Sequence, residues 1–190
     1  AYTGSDSTLS ANWDSFVDTE YSQFNHGSGF QKYEYAIGTT SGGTDVLTWT
    51  NNSTTASVTK TGLTLTSGSS YYISVRGTDN AGNVSSTITS NGVTVDTAAP
   101  TVGSVTDSSS TDLDWTRSTS TLTGVWTGFS DALSGIEKYE YAIGTTSGGT
   151  NVVTWTDNTT TTNVTKTGLS LINGTKYYIS VRATDNVGNV

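Results

Sequence analysis

The sequence predicts an all-β protein: two tandem antiparallel β-sandwich modules. Three observations carry this expectation. Lys32–Val84 aligns without a gap on Lys138–Val190, 106 positions later, with 40 of 53 residues identical. That period is the size of a small domain and too long for a solenoid repeat of about 20–50 residues. Within each copy, apolar and polar residues alternate with period 2, as in sheets wet on one side. The segments between them are turn chemistry, TTSGGT at 145–150, ING at 172–174 and DNVGN at 185–189, and no stretch shows a capped helical period.

Composition narrows the function classes. The chain has 190 residues, 32% hydrophobic and only 13% charged, with 21 Gly, enough for two modest cores of roughly 95 residues each. The absence of Cys removes thiol catalysis and Cys-based zinc sites and leaves the compartment open. The net charge of -8 divides into 3 basic and 8 acidic residues over 1–98, and 5 basic and 8 acidic over 99–190. Both halves repel a phosphate backbone, so nucleic-acid binding is not expected. No apolar run approaches the ~18 residues of a membrane helix, so no membrane insertion is expected in this segment.

Along the chain, the strand pattern is clearest in the second copy. Leu122 and Trp126 alternate with polar residues. Tyr139, Tyr141 and Ile143 share one face while Lys138 and Glu140 share the other. Tyr177, Ile179, Val181 and Ala183 oppose Tyr178, Ser180, Arg182 and Thr184 in the same way. The lone proline, Pro100, marks the junction, giving repeats over 1–98 and 99–190. The copies differ near their starts: Trp13 matches Trp126 at an offset of 113, so the first copy carries about seven extra residues around Thr19–Asn25. It has no counterpart of Thr101–Asp107, and the second copy has none of Ser86–Val95, STITSNGVTV, which reads as one final strand. Each module is thus expected to be incomplete at the outer chain end, a window on a longer array.

Taken together these segments resemble a fibronectin type III-like or immunoglobulin-like module, of the kind strung along large bacterial surface proteins (adhesin-type). Trp13 and Trp126 match that family's strand-B Trp, and KYEYAIG matches its Tyr-rich strand C. Leu-x-x-Gly-x-x-Tyr recurs at Leu65–Tyr71 and Leu171–Tyr177, and Asp-x-Ala-Gly-Asn at Asp79–Asn83, with Val187 replacing the Ala in the second copy. VDTAAPT at 95–101 looks like an adhesin-repeat junction. The resemblance implies that Tyr71 and Tyr177 are tyrosine-corner residues.

It also implies candidate sites. In this fold the loops after strands B and F lie at the pole where a preceding linker arrives, which would bring Asp96 near Asp131 and Asp185. Ca²⁺ takes six to eight oxygens, so calcium at the module junction is one reading. Local turns in which each Asp bonds nearby backbone N–H groups are the other. In the first copy Asp18 and Asp79 correspond. Trp49 and Trp155 either stack a sugar face or pack beside Leu47 and Val153. Glu34 with Arg76, and Glu140 with Arg182, are expected to meet across neighbouring strands. Lys60 and Lys166 fall at inward parity, resolved either by a bulge or by an apolar stem crossing the core edge. The extra loop, with Tyr21, Phe24 and nearby His26, is a binding loop or a tolerated insertion. GTTSGG lacks the Lys-Ser/Thr and helix of a P-loop, and no carboxylate pair is placed to flank a cleft, so the chain is not expected to be an enzyme.

The functional expectation is a structural repeat of a long extracellular, cell-surface protein, a stalk, filament or adhesin that presents a binding domain. Its partners are then adjacent repeats, and neighbouring copies if a second chain donates the strand missing beside residues 177–185. The alternative is a carbohydrate-binding or spacer module of a secreted glycoside hydrolase, with a glycan as ligand.

Overall fold

A computed structural model describes residues 1–18, 27–108 and 112–190. The extra loop expected at 19–25, with His26, lies outside them. The chain divides into two compact units, Ala1–Thr97 and Ala98–Val190. The described residues contain strands and turns, and no helix among them is long and apolar enough to cross a membrane.

The first unit contains β1 (Tyr2–Thr3), β2 (Leu9–Asn12), β3 (Phe30–Gly38), β4 (Leu47–Asn51), β5 (Ser57–Lys60), β6 (Ser70–Asp79), β7 (Ile88–Thr89) and β8 (Val93–Val95). One sheet runs β1-β8-β6-β3-β4, with β7 also on β6; β2 and β5 form the other. The second unit contains β9 (Ser104–Thr106), β10 (Leu122–Thr127), β11 (Ile136–Gly144), β12 (Val153–Asp157), β13 (Asn163–Lys166) and β14 (Tyr178–Asp185), arranged as β13-β10-β9 and β12-β11-β14. A sheet built on strands two and five of the sandwich, facing one built on three, four and six, is the fibronectin type III-like and immunoglobulin-like arrangement. The protein is all-β with that fold.

Alternation explains the core. Tyr33, Tyr35 and Ile37 of β3, Tyr71, Ile73 and Val75 of β6, Leu9 of β2, and Leu65 and Val95 are buried together. In the second unit Trp126, Tyr139 and Ala183 centre the packing, with Val105, Phe129, Ile136, Val164 and Val181 against them. An indole of about 200 Å² taken from water contributes on the order of 5 kcal/mol. Rings meet edge to face, Trp13 on Tyr33 at 5.5 Å and Trp126 on Tyr139 at 5.9 Å.

One detail departs from the sequence reading, and another decides between its alternatives. Ser86–Val95 is not one strand: it breaks into β7 and β8 around Ser90-Asn91-Gly92, where Gly92 has φ 84°. Ser90 stays tied to β6 across the break, its N–H donating to the Ile73 carbonyl and its hydroxyl accepting the Ile73 N–H. The Lys60 parity needs no bulge, since β2 and β5 pair in unbroken register with Leu9 opposite Lys60. Lys60 is half-buried at the strand's end, which fits the apolar-stem alternative.

The TTSGGT turns dictate a glycine at a distance. A Cβ on Gly38 would run into the Gly43 backbone, and one on Gly144 into that of Gly149. Only a hydrogen lets the hairpin close over the strand end. Gly144→Ala is therefore expected to lower the stability of the second unit by about 1–3 kcal/mol, as overpacking does, read as a fall in melting temperature; an unchanged transition would refute the close approach.

Candidate functional site

Two constellations recur in both units. The first lies on the outer face of the longer sheet. β3 and β6 pair with Glu34 opposite Arg76, and β11 and β14 with Glu140 opposite Arg182. The facing side chains close the expected ion pairs: Arg76 Nη2 to Glu34 Oε2 at 3.1 Å, and Arg182 Nε to Glu140 Oε2 at 2.8 Å. Lys32 adds a contact to Glu34 Oε1 at 3.2 Å. Burial pushes the Glu34 carboxyl up, but the Lys32 hydrogen bond and the Arg76 and Lys32 charges outweigh it, and the group titrates below its ordinary 4.5.

Each guanidinium also covers an indole. Arg76 Cζ sits 4.2 Å from the Trp49 ring centre and Arg182 Cζ 4.5 Å from that of Trp155. Strict alternation would place Trp49 beside Leu47, yet only Leu47 joins the core. A β-bulge accounts for this. Tyr35 pairs Thr50 and Ile37 pairs Leu47, so two residues of β4, Thr48 and Trp49, oppose Ala36 alone. The extra residue reverses parity and moves the indole to the Glu–Arg face; Tyr141/Thr156 and Ile143/Val153 repeat the shift.

The second constellation is the pole formed by the turn ahead of the third strand and the turn after the sixth. In the second unit Asp131 Oδ1 accepts the N–H groups of Leu133 at 3.1 Å and Gly135 at 2.7 Å. Asp185 Oδ1 accepts from the Val187 and Asn189 N–H groups, both at 2.9 Å, and its Oδ2 from Asn189 Nδ2 at 2.7 Å. A carboxylate oxygen of Asp131 lies within 4.8 Å of one of Asp185. In the first unit Asp18 Oδ2 accepts from Gly29 N–H at 2.9 Å, and Asp79 from Ala81 N–H, Asn83 N–H and Asn83 Nδ2 at 2.8–2.9 Å. A cleft of about 190 Å³ adjoins this pair, below the usual 300–1,000 Å³ of a ligand pocket. For both Asp79 and Asp185, donated hydrogen bonds outweigh desolvation and hold the carboxyl below its ordinary 3.8.

Asp131 and Asp185 thus come together within the second unit, and Asp18 and Asp79 at the matching pole of the first. Asp96 belongs to the first unit, where its N–H donates to the Thr3 carbonyl at 2.8 Å. The Tyr71 hydroxyl accepts the Thr66 N–H and the Tyr177 hydroxyl the Ile172 N–H, each at 2.9 Å, tying the incoming loop to β6 and to the segment leading into β14 in the tyrosine-corner manner. The sequence reading missed Asn80 and Asn186. Asn80 Nδ2 donates to the Ser28 and Gly29 carbonyls, and Asn186 Nδ2 to those of Ser134 and Gly135, at 2.8–3.1 Å. These amides clamp one polar turn to the other. The available signal was the Ser-Gly pair recurring ahead of each third strand at the same 106-residue offset.

With this geometry in view, similarities to known proteins have a defined reach. No protein-family model matches the chain. It is 37% identical over 146 residues to Exoglucanase B of Cellulomonas fimi, a match taking in 72% of this chain but 12% of that enzyme. The chain therefore spans about an eighth of the curated relative it matches. The match concerns a small part of that enzyme, so the activity of the whole enzyme does not carry over to this chain. Among solved structures, the FN1-FN3 domains of chicken CNTN1 superpose with a TM-score of 0.43 at 17% identity, covering 98% of this chain and 60% of that one.

Because the folded-state Glu34 carboxyl is depressed, its stabilisation is present above 4.5 and disappears as pH falls through its folded value. Glu34→Gln is expected to cost at most about 1 kcal/mol at neutral pH, and the gap to the unsubstituted chain should close in acid; a gap constant with pH would contradict the pairing. Asp185→Ala removes the acceptor of three N–H bonds and is expected to cost about 1–3 kcal/mol by chemical denaturation.

Proposed function

We propose that this chain is a spacer: two non-catalytic modules that set apart and present other domains of a secreted protein. The observation that supports it best is how the repeated polar residues are employed. The carboxylates and amides at the poles cap turns, the Glu–Arg pairs bridge strands, and the Tyr hydroxyls close corners. This is the chemistry of holding a shape. The partial match to Exoglucanase B favours attachment to a secreted glycoside hydrolase, while the VDTAAPT junction and the near-identical copies favour a cell-surface stalk, filament or adhesin.

Sugar binding through Trp49 and Trp155 is the competing reading. A guanidinium lies over each indole, and uncovering the ring would also release Arg76 or Arg182 from its glutamate. The stack is better suited to bracing the sheet than to receiving a pyranose. Titration calorimetry against soluble glucans is expected to show no tight binding, and Trp49→Ala and Trp155→Ala to change stability only. Tight binding lost in those variants would sink the spacer reading.

Calcium at Asp96, Asp131 and Asp185 stays a proposal of its own. If it is right, EDTA lowers the melting temperature and added Ca²⁺ restores it, an effect lost in Asp131→Asn. Indifference to both reagents would leave the carboxylates as turn caps alone.

A further inference from the structure

Two units this alike must each find their own strands. The third strands are the same residue for residue, from Lys32 to Gly38 and from Lys138 to Gly144. The sixth strands pair with them in the same register, Glu34 opposite Arg76 and Tyr35 opposite Val75, then Glu140 opposite Arg182 and Tyr141 opposite Val181. From Tyr72 to Asp79 and from Tyr178 to Asp185 a single position differs, Gly77 against Ala183. Backbone register, the Glu–Arg pairs and the tyrosine face are therefore satisfied equally if the third strand of one unit meets the sixth strand of the other. Joining the units in one chain raises the effective concentration of each wrong partner, and misassembly between like neighbours is a characteristic failure of repeat proteins.

The one difference sits at a tight point of the packing. Gly77 lies opposite Tyr33, and a Cβ on it would come within 2.6 Å of the Phe16 ring and 3.0 Å of the Phe30 ring. Phe30 in turn lies on Tyr33, ring centres 4.4 Å apart. The second unit keeps the counterpart of Phe16, with Phe129 on Tyr139 at 5.6 Å, but has Ile136 where the first has Phe30. There the Ala183 methyl is accommodated, buried in the cluster that Ile136 packs against. A large ring without a methyl and a smaller branched chain with one fill the same space. Crossing the strands breaks the match both ways. With β14 in the place of β6, the Ala183 methyl is driven into Phe16 and Phe30; with β6 in the place of β14, a void opens between Ile136 and Gly77. Cores penalise overpacking and voids alike.

We propose that Phe30–Gly77 and Ile136–Ala183 are a pairing code, complementary volumes that keep β3 with β6 and β11 with β14 while both units fold in one chain. The four residues determine specificity by what they reject, since the rest of the ladder accepts either partner. The code rests on side-chain volume and holds whatever the two units space apart.

The test refolds the whole chain by dilution from denaturant and measures the misfolded fraction in a second unfolding jump. Phe30→Ile with Gly77→Ala gives the first unit the second unit's pair, and Ile136→Phe with Ala183→Gly does the reverse. Each double variant erases the code and is expected to raise the misfolded fraction at least about threefold. That rise should not depend on protein concentration, as exchange within one chain requires. All four substitutions together restore two different pairs with their places swapped, and should return the fraction to that of the unsubstituted chain. Gly77→Ala alone is expected to lower the melting temperature of the first unit, and adding Phe30→Ile to recover most of the loss. The proposal is overturned by an unchanged misfolded fraction in a double variant that regains its native melting transitions, or by a fourfold variant that misfolds as much as the doubles. Purely additive effects of Gly77→Ala and Phe30→Ile would also overturn it, as would a misfolded fraction that grows with protein concentration and so assigns the exchange to separate copies.

Discussion

The ladder between the third and sixth strands is the constraint on which each unit depends. β3 and β6 pair from Phe30–Asp79 to Gly38–Tyr72, and β11 and β14 repeat the register pair for pair. Because side chains alternate, this one register decides both faces at once. It sends Tyr33, Tyr35 and Ile37 inward against Ile73 and Val75, and sets Glu34 against Arg76 outside. A slip of one residue would bury the glutamate and expose the tyrosines. The ion pair is worth little as energy on a surface, but any slipped register forfeits it along with the core. At the ladder's end, the Asp79 and Asp185 turns and the Asn80 and Asn186 clamps stop the strands from fraying into the poles.

Much of this was legible in the sequence because the repeat printed it twice. Alternation placed the buried tyrosines, and the Glu–Arg partners followed from parity once the two strands were taken as neighbours. What stayed hidden shares a physical cause: departures from period 2. The bulge in β4 adds a residue opposite Ala36 and carries Trp49 from the face that strict alternation would give it to the outer one. Nothing in LTWTN announces it, because a bulge is settled by its partner strand. The break between β7 and β8 was foreshadowed by Asn91-Gly92, yet the alternation on either side read as continuous. The clamps escaped notice because Asn80 and Ser28 are far apart in sequence, and turn chemistry reads only near neighbours.

The differences between copies show what the fold asks of each polar position. Asp45 accepts the Thr39 N–H at 3.0 Å, and its counterpart Asn151 accepts the Thr145 N–H at the same distance. Asn51 caps Ser53 at 2.8 Å and Asp157 caps Thr159 at 2.7 Å, holding residues of φ 50° and 52° in the left-handed region. At these turns Asp and Asn exchange freely, because one acceptor oxygen suffices and both side chains carry it. The pole after the sixth strand is different. Asp79 and Asp185 accept on both oxygens, and one donor is the side-chain amide of Asn83 or Asn189. An asparagine there would turn its own NH₂ towards another NH₂ and lose that bond. The carboxylate is thus required by the turn itself, through a charge-assisted network of three donors. The recurrence of aspartate at this pole is accounted for by hydrogen bonding, and any cation that binds there must share oxygens already engaged in holding the strand ends.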